Sequence, residues 1–103
     1  MARKLRANSE AMVEFFVANP DAIEPYLQGI FEDYANDPDN AVLLTQLRIV
    51  ARVKGISEMA EEIGITRQGL QKALSGKGNP RLENINAIVK AMGYQITLQR
   101  RAS

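Results

Sequence analysis

Residues 56–74 read ISEMAEEIGITRQGLQKAL, with a small residue, Ala60, four places before a glycine, Gly64. That spacing leaves few folds open. Two short helices cross closely over an alanine but not over a larger side chain. A glycine lets the chain turn sharply between them, most simply at positive φ. Met59, Ile63, Ile65, Leu70 and Ala73 fall at the positions that bury such a corner. Ser57 and Thr66 stand where the two helices need N-caps. Helices are therefore expected over residues 57–63 and 66–75.

On a helical wheel of residues 66–75, Thr66, Leu70, Ala73 and Leu74 share one face. Gln68, Gln71, Lys72 and Ser75 share the opposite one, with Arg67 at its edge. Glutamine pairs bidentately with adenine, arginine or lysine reaches guanine, and serine serves either. The pattern is that of a helix-turn-helix whose second helix lies in the major groove of duplex DNA. Gly69 is unusual there, since glycine inside a helix costs about 1 kcal/mol relative to alanine. Close approach of another helix and close approach of a phosphate both explain it. The following loop carries Lys77, Asn79 and Arg81 just before a further helix, where backbone N–H groups and cations suit phosphate oxygens. The candidate DNA contacts are thus Ser57, Thr66, Arg67, Gln68, Gln71, Lys72, Ser75, Lys77, Asn79 and Arg81.

The 103 residues make one domain's worth of chain, and they include no cysteine and no histidine. Disulfides are excluded, and the commonest general base and transition-metal ligands are missing. No enzyme activity and no cofactor are expected. The acidic stretch from Asp33 to Asn40 lacks the turn glycine and closing glutamate of a calcium loop. The 76–81 loop has no Gly-Lys-Ser/Thr and no preceding strand, so it is not a nucleotide P-loop. No apolar run approaches the roughly 20 residues of a membrane span. No signal-type apolar region follows the basic residues Arg3, Lys4 and Arg6. A cytoplasmic protein is expected.

Elsewhere the pattern is also helical. A loose arm over residues 1–8 precedes a helix capped by Ser9, carrying Met12, Phe15 and Phe16 and stopping at Asn19-Pro20. A second helix reaches Tyr34, starting at Pro20 or, because of Pro25, a few residues later. After a break at 36–40, a third runs over 41–54, burying Val42, Leu43, Leu47, Val50 and Ala51 and ending at Gly55. Another is expected over 82–92. Residues 94–99 alternate apolar and polar like a half-buried strand. The reading is an all-α chain of five to six helices with a C-terminal β-strand. Residues 1–40 form an arm and acidic helices, residues 41–103 the DNA-binding part, and the two make one compact unit.

A lone strand needs a partner. The simplest is the same strand of a second subunit, making Tyr94, Ile96 and Leu98 a dimer contact in a homodimer. Pairing with the amino terminus or with another protein's sheet edge are the alternatives. The charges are also sorted. Glu10, Glu14, Asp21, Glu24, Glu32, Asp33, Asp37 and Asp39 occupy residues 8–40 with no lysine or arginine, while residues 41–103 are strongly basic. The basic part suits a polyanion. The acidic part suits a basic protein partner, or serves as scaffold for the core.

From about residue 43 to 98 the sequence resembles the HigA-like addiction-module antidote proteins, small antitoxins with a Cro/phage-repressor-type helix-turn-helix. The resemblance is carried by R-x-K-G-I-S-x-M-A ending at Ala60, G-I-T-R-Q-G-L from Gly64, K-A-L-S ending at Ser75, G-N-P ending at Pro80 and A-M-G-Y-Q-I-T-L ending at Leu98. It implies a lambda-repressor-like domain and a dimeric repressor of its own operon that also neutralises a RelE/HigB-like ribonuclease toxin. Thr66, Arg67, Gln68, Gln71 and Lys72 would then contact DNA. A stand-alone phage-type regulator and an interaction module without DNA binding are the alternatives.

Overall fold

A computed structural model describes residues 2–101, with side chains from Ser9 onward. Among these residues there are six α-helices and no strand: α1 Ala2–Ala18, α2 Ile23–Asn36, α3 Asn40–Lys54, α4 Ile56–Ile63, α5 Arg67–Ala73 and α6 Leu82–Ala91. A 3-10 turn at Pro20–Ala22 joins α1 to α2. Proline has no N–H to lose in a first turn, so Pro20 opens the 3-10 turn and Pro25 sits in the first turn of α2.

The centre of the molecule is α3, which packs against α1, α2 and α4. It presents apolar side chains on more than one side: Leu43, Leu44, Leu47, Ile49, Val50 and Ala51 are all buried. Leu27 and Ile30 from α2 join the same core as Met59, Leu70, Leu74 and the α6 residues Ile85, Ile88 and Val89. On the α1 side Phe16 is buried and packs at a tilt against Tyr26, ring centroids 4.8 Å apart. Burial raises the pKa of the Tyr26 phenol above its usual range.

Asp39 caps α3, its carboxylate accepting from the Val42 N–H at 3.2 Å. Gly55, at φ 112°, closes α3 and opens α4: its N–H donates to the Ala51 carbonyl at 2.8 Å, and its carbonyl accepts from the Met59 N–H at 3.1 Å.

Several expectations are corrected. Helix α1 starts at Ala2 rather than after a loose arm, so Ser9 lies inside it and is not its N-cap; Met1 lies outside the described residues. Val42, expected in the core, is instead 51% exposed: it lies in the first turn of α3 and lines an open surface pocket beside Asp33 and Tyr34 of α2. The C-terminal β-strand is absent. Helix α6 ends in a Schellman turn at Gly93, φ 96°, where the Gly93 N–H donates to the Lys90 carbonyl at 2.9 Å and the Tyr94 N–H to the Val89 carbonyl at 3.2 Å. That turn packs Tyr94 against the core. Residues 95–101 then leave the surface without regular structure, Ile96 partly exposed and Leu98 fully so, because nothing among the described residues offers them a ladder.

Candidate nucleic-acid interface

A helix of seven residues does not hold itself together in water, so α5 depends on its ends and on one buried side. Its start is set by Thr66, extended at φ −74° and ψ 156°, whose hydroxyl accepts from the Gly69 N–H at 2.9 Å. The corner before it is a second Schellman turn: Gly64, at φ 88°, donates to Glu61, and Ile65 donates to the Ala60 carbonyl at 3.0 Å. Leu70 is completely buried, as is Met59 of α4, and Ala60 is nearly so. These three residues fix how α5 lies on α4. Ile65 does not help bury the corner as expected; it is 43% exposed, because the turn carries it past the end of α4.

With Leu70 and Leu74 inward, Arg67, Gln68, Gln71, Lys72 and Ser75 are all exposed. The outward set is therefore contiguous and polar. Gly69 is not explained by close approach of another helix. No other helix comes within 4 Å of where its Cβ would be; the near atom is the capping Thr66 Oγ1, at 3.0 Å. Glycine there leaves the cap undisturbed.

Ser57 is not an N-cap either. Gly55 occupies that position, and the Ser57 Oγ instead accepts from Arg67 Nη1 at 3.0 Å. The bond spans the corner from α4 to α5 and holds the guanidinium beside the outward flank. Ser57 thus meets the outward flank through Arg67.

The loop after α5 sits on α3. Gly76, at φ 86°, lies so close that a Cβ would meet the Ala41 carbonyl and Thr45 Oγ1 at 3.6 Å. Asn79 Oδ1 accepts from Asn40 Nδ2 at 3.1 Å, and Asn40 Oδ1 accepts from the Tyr34 hydroxyl at 2.9 Å. Lys77, Asn79 and Arg81 line a groove of about 310 Å³ together with Asn84 and Ile88 of α6. Arg81 is the N-cap residue of α6 and gives that helix no side-chain acceptor. Its guanidinium lies 3.7 Å from Glu83 at the surface, where such pairs contribute little. The structure thus brings Lys77, Asn79 and Arg81 to one groove and Arg67, Gln68, Gln71 and Lys72 to one helix flank. Tyr94, Ile96 and Leu98, expected as one strand, are separated: Tyr94 is half-buried against the core and the other two lie in the tail.

Asn40 and Tyr34 were not among the candidate residues. Tyr34 reads as a core aromatic, and Asn40 as part of a break. Nothing in the sequence signals a hydrogen bond between residues 39 positions apart.

The profile of a family described as "Probable addiction module antidote protein" matches residues 9–100. The chain belongs to that family. An antidote of an addiction module implies a cognate toxin. An uncharacterized protein of Haemophilus influenzae is 32% identical over 92 residues, covering 89% of this chain and 95% of the relative. Both matches take in α2 and α3 as well as the α4–α5 corner, so the acidic helices belong to the family's common unit. No solved structure matches the chain. Among the described residues no helix is long and apolar enough to cross a membrane.

Proposed function

We propose that this antidote protein binds duplex DNA, with α4 and α5 as a helix-turn-helix of the Cro/phage-repressor type, and represses its own operon. The observation that carries the reading is the division of α5. Leu70 is fully buried, while the neighbouring Gln68, Gln71 and Lys72 stand in solvent on one flank. Gln68 and Gln71 read base edges in the major groove, and Arg67, steadied by Ser57, reaches a guanine or a phosphate. Lys77, Asn79 and Arg81 hold the sugar-phosphate backbone at the start of α6, where uncapped N–H groups favour an anion.

Two copies bind together, covering the exposed Ile96 and Leu98 of their tails and setting half-sites about one DNA turn apart. The toxin is a basic ribonuclease of the RelE/HigB type. It docks on the acidic helices, where Glu10, Glu14, Asp21 and Glu24 are exposed beside the exposed Phe15 and Val17. The same helices are also scaffold, because Leu27 and Ile30 are part of the core.

Fluorescence anisotropy with duplexes from the protein's own promoter tests the reading. Gln68→Ala and Gln71→Ala should each relax discrimination at particular base pairs by about 1–3 kcal/mol. Lys77→Ala and Arg81→Ala should weaken all duplexes alike and shallow the salt dependence. Indifference to every duplex at low salt, or one common effect for all four substitutions, rejects it. Reversing Glu10, Glu14 and Glu24 to lysine should abolish toxin capture while leaving duplex binding intact.

A further inference from the structure

The phosphate-facing loop is tied to a helix far away in sequence, and the tie has a direction. A phenol donates a hydrogen bond more readily than it accepts one, so the Tyr34 hydroxyl engages the oxygen of the Asn40 amide, at 2.9 Å. That choice leaves the Asn40 nitrogen as the donor towards Asn79, which it reaches at 3.1 Å. Asn79 must then offer its oxygen inward, and its Nδ2 group, with two N–H donors, is left facing outward on an exposed residue. Donors are what a phosphodiester oxygen requires, whereas an outward carbonyl would repel it. The anchor is firm: Asn40 begins α3 beneath the Asp39 cap, and Gly76 seats the same loop on the next turn of that helix.

We propose that Asn40, set by Tyr34, is a positioning residue for DNA binding: it fixes the polarity of the Asn79 amide so that its nitrogen meets the phosphate backbone. The proposal rests on the DNA-binding reading and deepens it. It links α2, in the acidic half of the chain, to the loop that grips the duplex.

A double-mutant cycle tests it. One hydrogen bond is worth about 0.5–1.5 kcal/mol, so Asn40→Ala and Asn79→Ala should each weaken all duplexes about 2- to 13-fold. The salt slope should stay unchanged, because no cation is lost. The double variant should bind as Asn79→Ala does. Tyr34→Phe keeps both amides and should lose less, again with no further effect once Asn79 is alanine. Melting curves of each variant guard against misfolding, and Tyr34→Phe keeps the test alive if Asn40→Ala fails to fold. Without DNA, the Asn40 side-chain amide protons should move upfield in the ¹⁵N–¹H spectrum when Asn79 becomes alanine. Losses that add in the double variant, altered discrimination between sequences, or an unmoved Asn40 amide overturn the relay alone. A wild-type chain that binds no duplex overturns the relay and the DNA-binding reading together.

Discussion

Leu70 and Gln71 are neighbours on α5 and face opposite ways, so truncating each to alanine asks the same helix two different questions. Leu70 is completely buried among side chains such as Met59 and Leu74, themselves almost without exposure. Leu70→Ala removes the transfer energy of the lost carbon atoms and leaves a cavity, at a typical cost of 2–5 kcal/mol in all. Met59 is flexible enough to fill part of the void, which points to about 3 kcal/mol. In a domain of this size that is a fall in melting temperature of roughly 12–24 °C. Gln71 is exposed and its side chain makes no hydrogen bond within the described residues, so Gln71→Ala should change stability by less than about 0.5 kcal/mol. Thermal and urea unfolding followed by circular dichroism measure both. A loss above about 1.5 kcal/mol for Gln71→Ala, or below about 1 kcal/mol for Leu70→Ala, would mean that α5 is turned differently on α4. The outward flank would then not be Arg67, Gln68, Gln71 and Lys72.

Gly64→Ala meets open space but forces an alanine to φ 88°, and should cost about 1–2 kcal/mol by urea unfolding. Thr66→Ala removes the α5 cap at a cost of about 1 kcal/mol. Gly69→Ala gains helix propensity but pushes on that cap, so it should stabilise by clearly less in the parent than the roughly 1 kcal/mol expected in a Thr66→Ala background. Equal effects in the two backgrounds would show that the cap is not the obstacle. The folded state holds the Tyr26 proton above pH 10.0, where an unfolded chain releases it, so stability should decline as pH climbs through that window. Tyr26→Phe should make the decline of melting temperature between about pH 9 and about pH 11 shallower.

What the sequence reveals follows the range of the forces involved. The α4–α5 corner is readable because each part is local: Gly64 four residues after Ala60, Thr66 three before the N–H it caps, and Leu70 in phase with Leu74. Ser57 misleads because a hydroxyl at a helix start is usually a cap. Gly55 has already taken that position, which frees the serine for Arg67. The tail misleads for a related reason. Alternation from residue 94 to 99 is a strand's period, but Gly93 draws Tyr94 back onto the core and nothing among the described residues pairs with the rest. The contact from Asn40 to Asn79 depends on how α3 packs, which no local spacing encodes.

Because a single residue supplies the last donor of α3 and the first acceptor of α4, there is no slack joint between the body of the protein and the α4–α5 corner. Opening either helix at Gly55 strips a terminal bond from the other, so the two should melt as one unit and their amides should exchange with solvent at similar free energies. Any response of the proposed DNA-binding surface to a partner on the acidic helices would then have to move the corner as a rigid piece. Fraying it locally would not be enough.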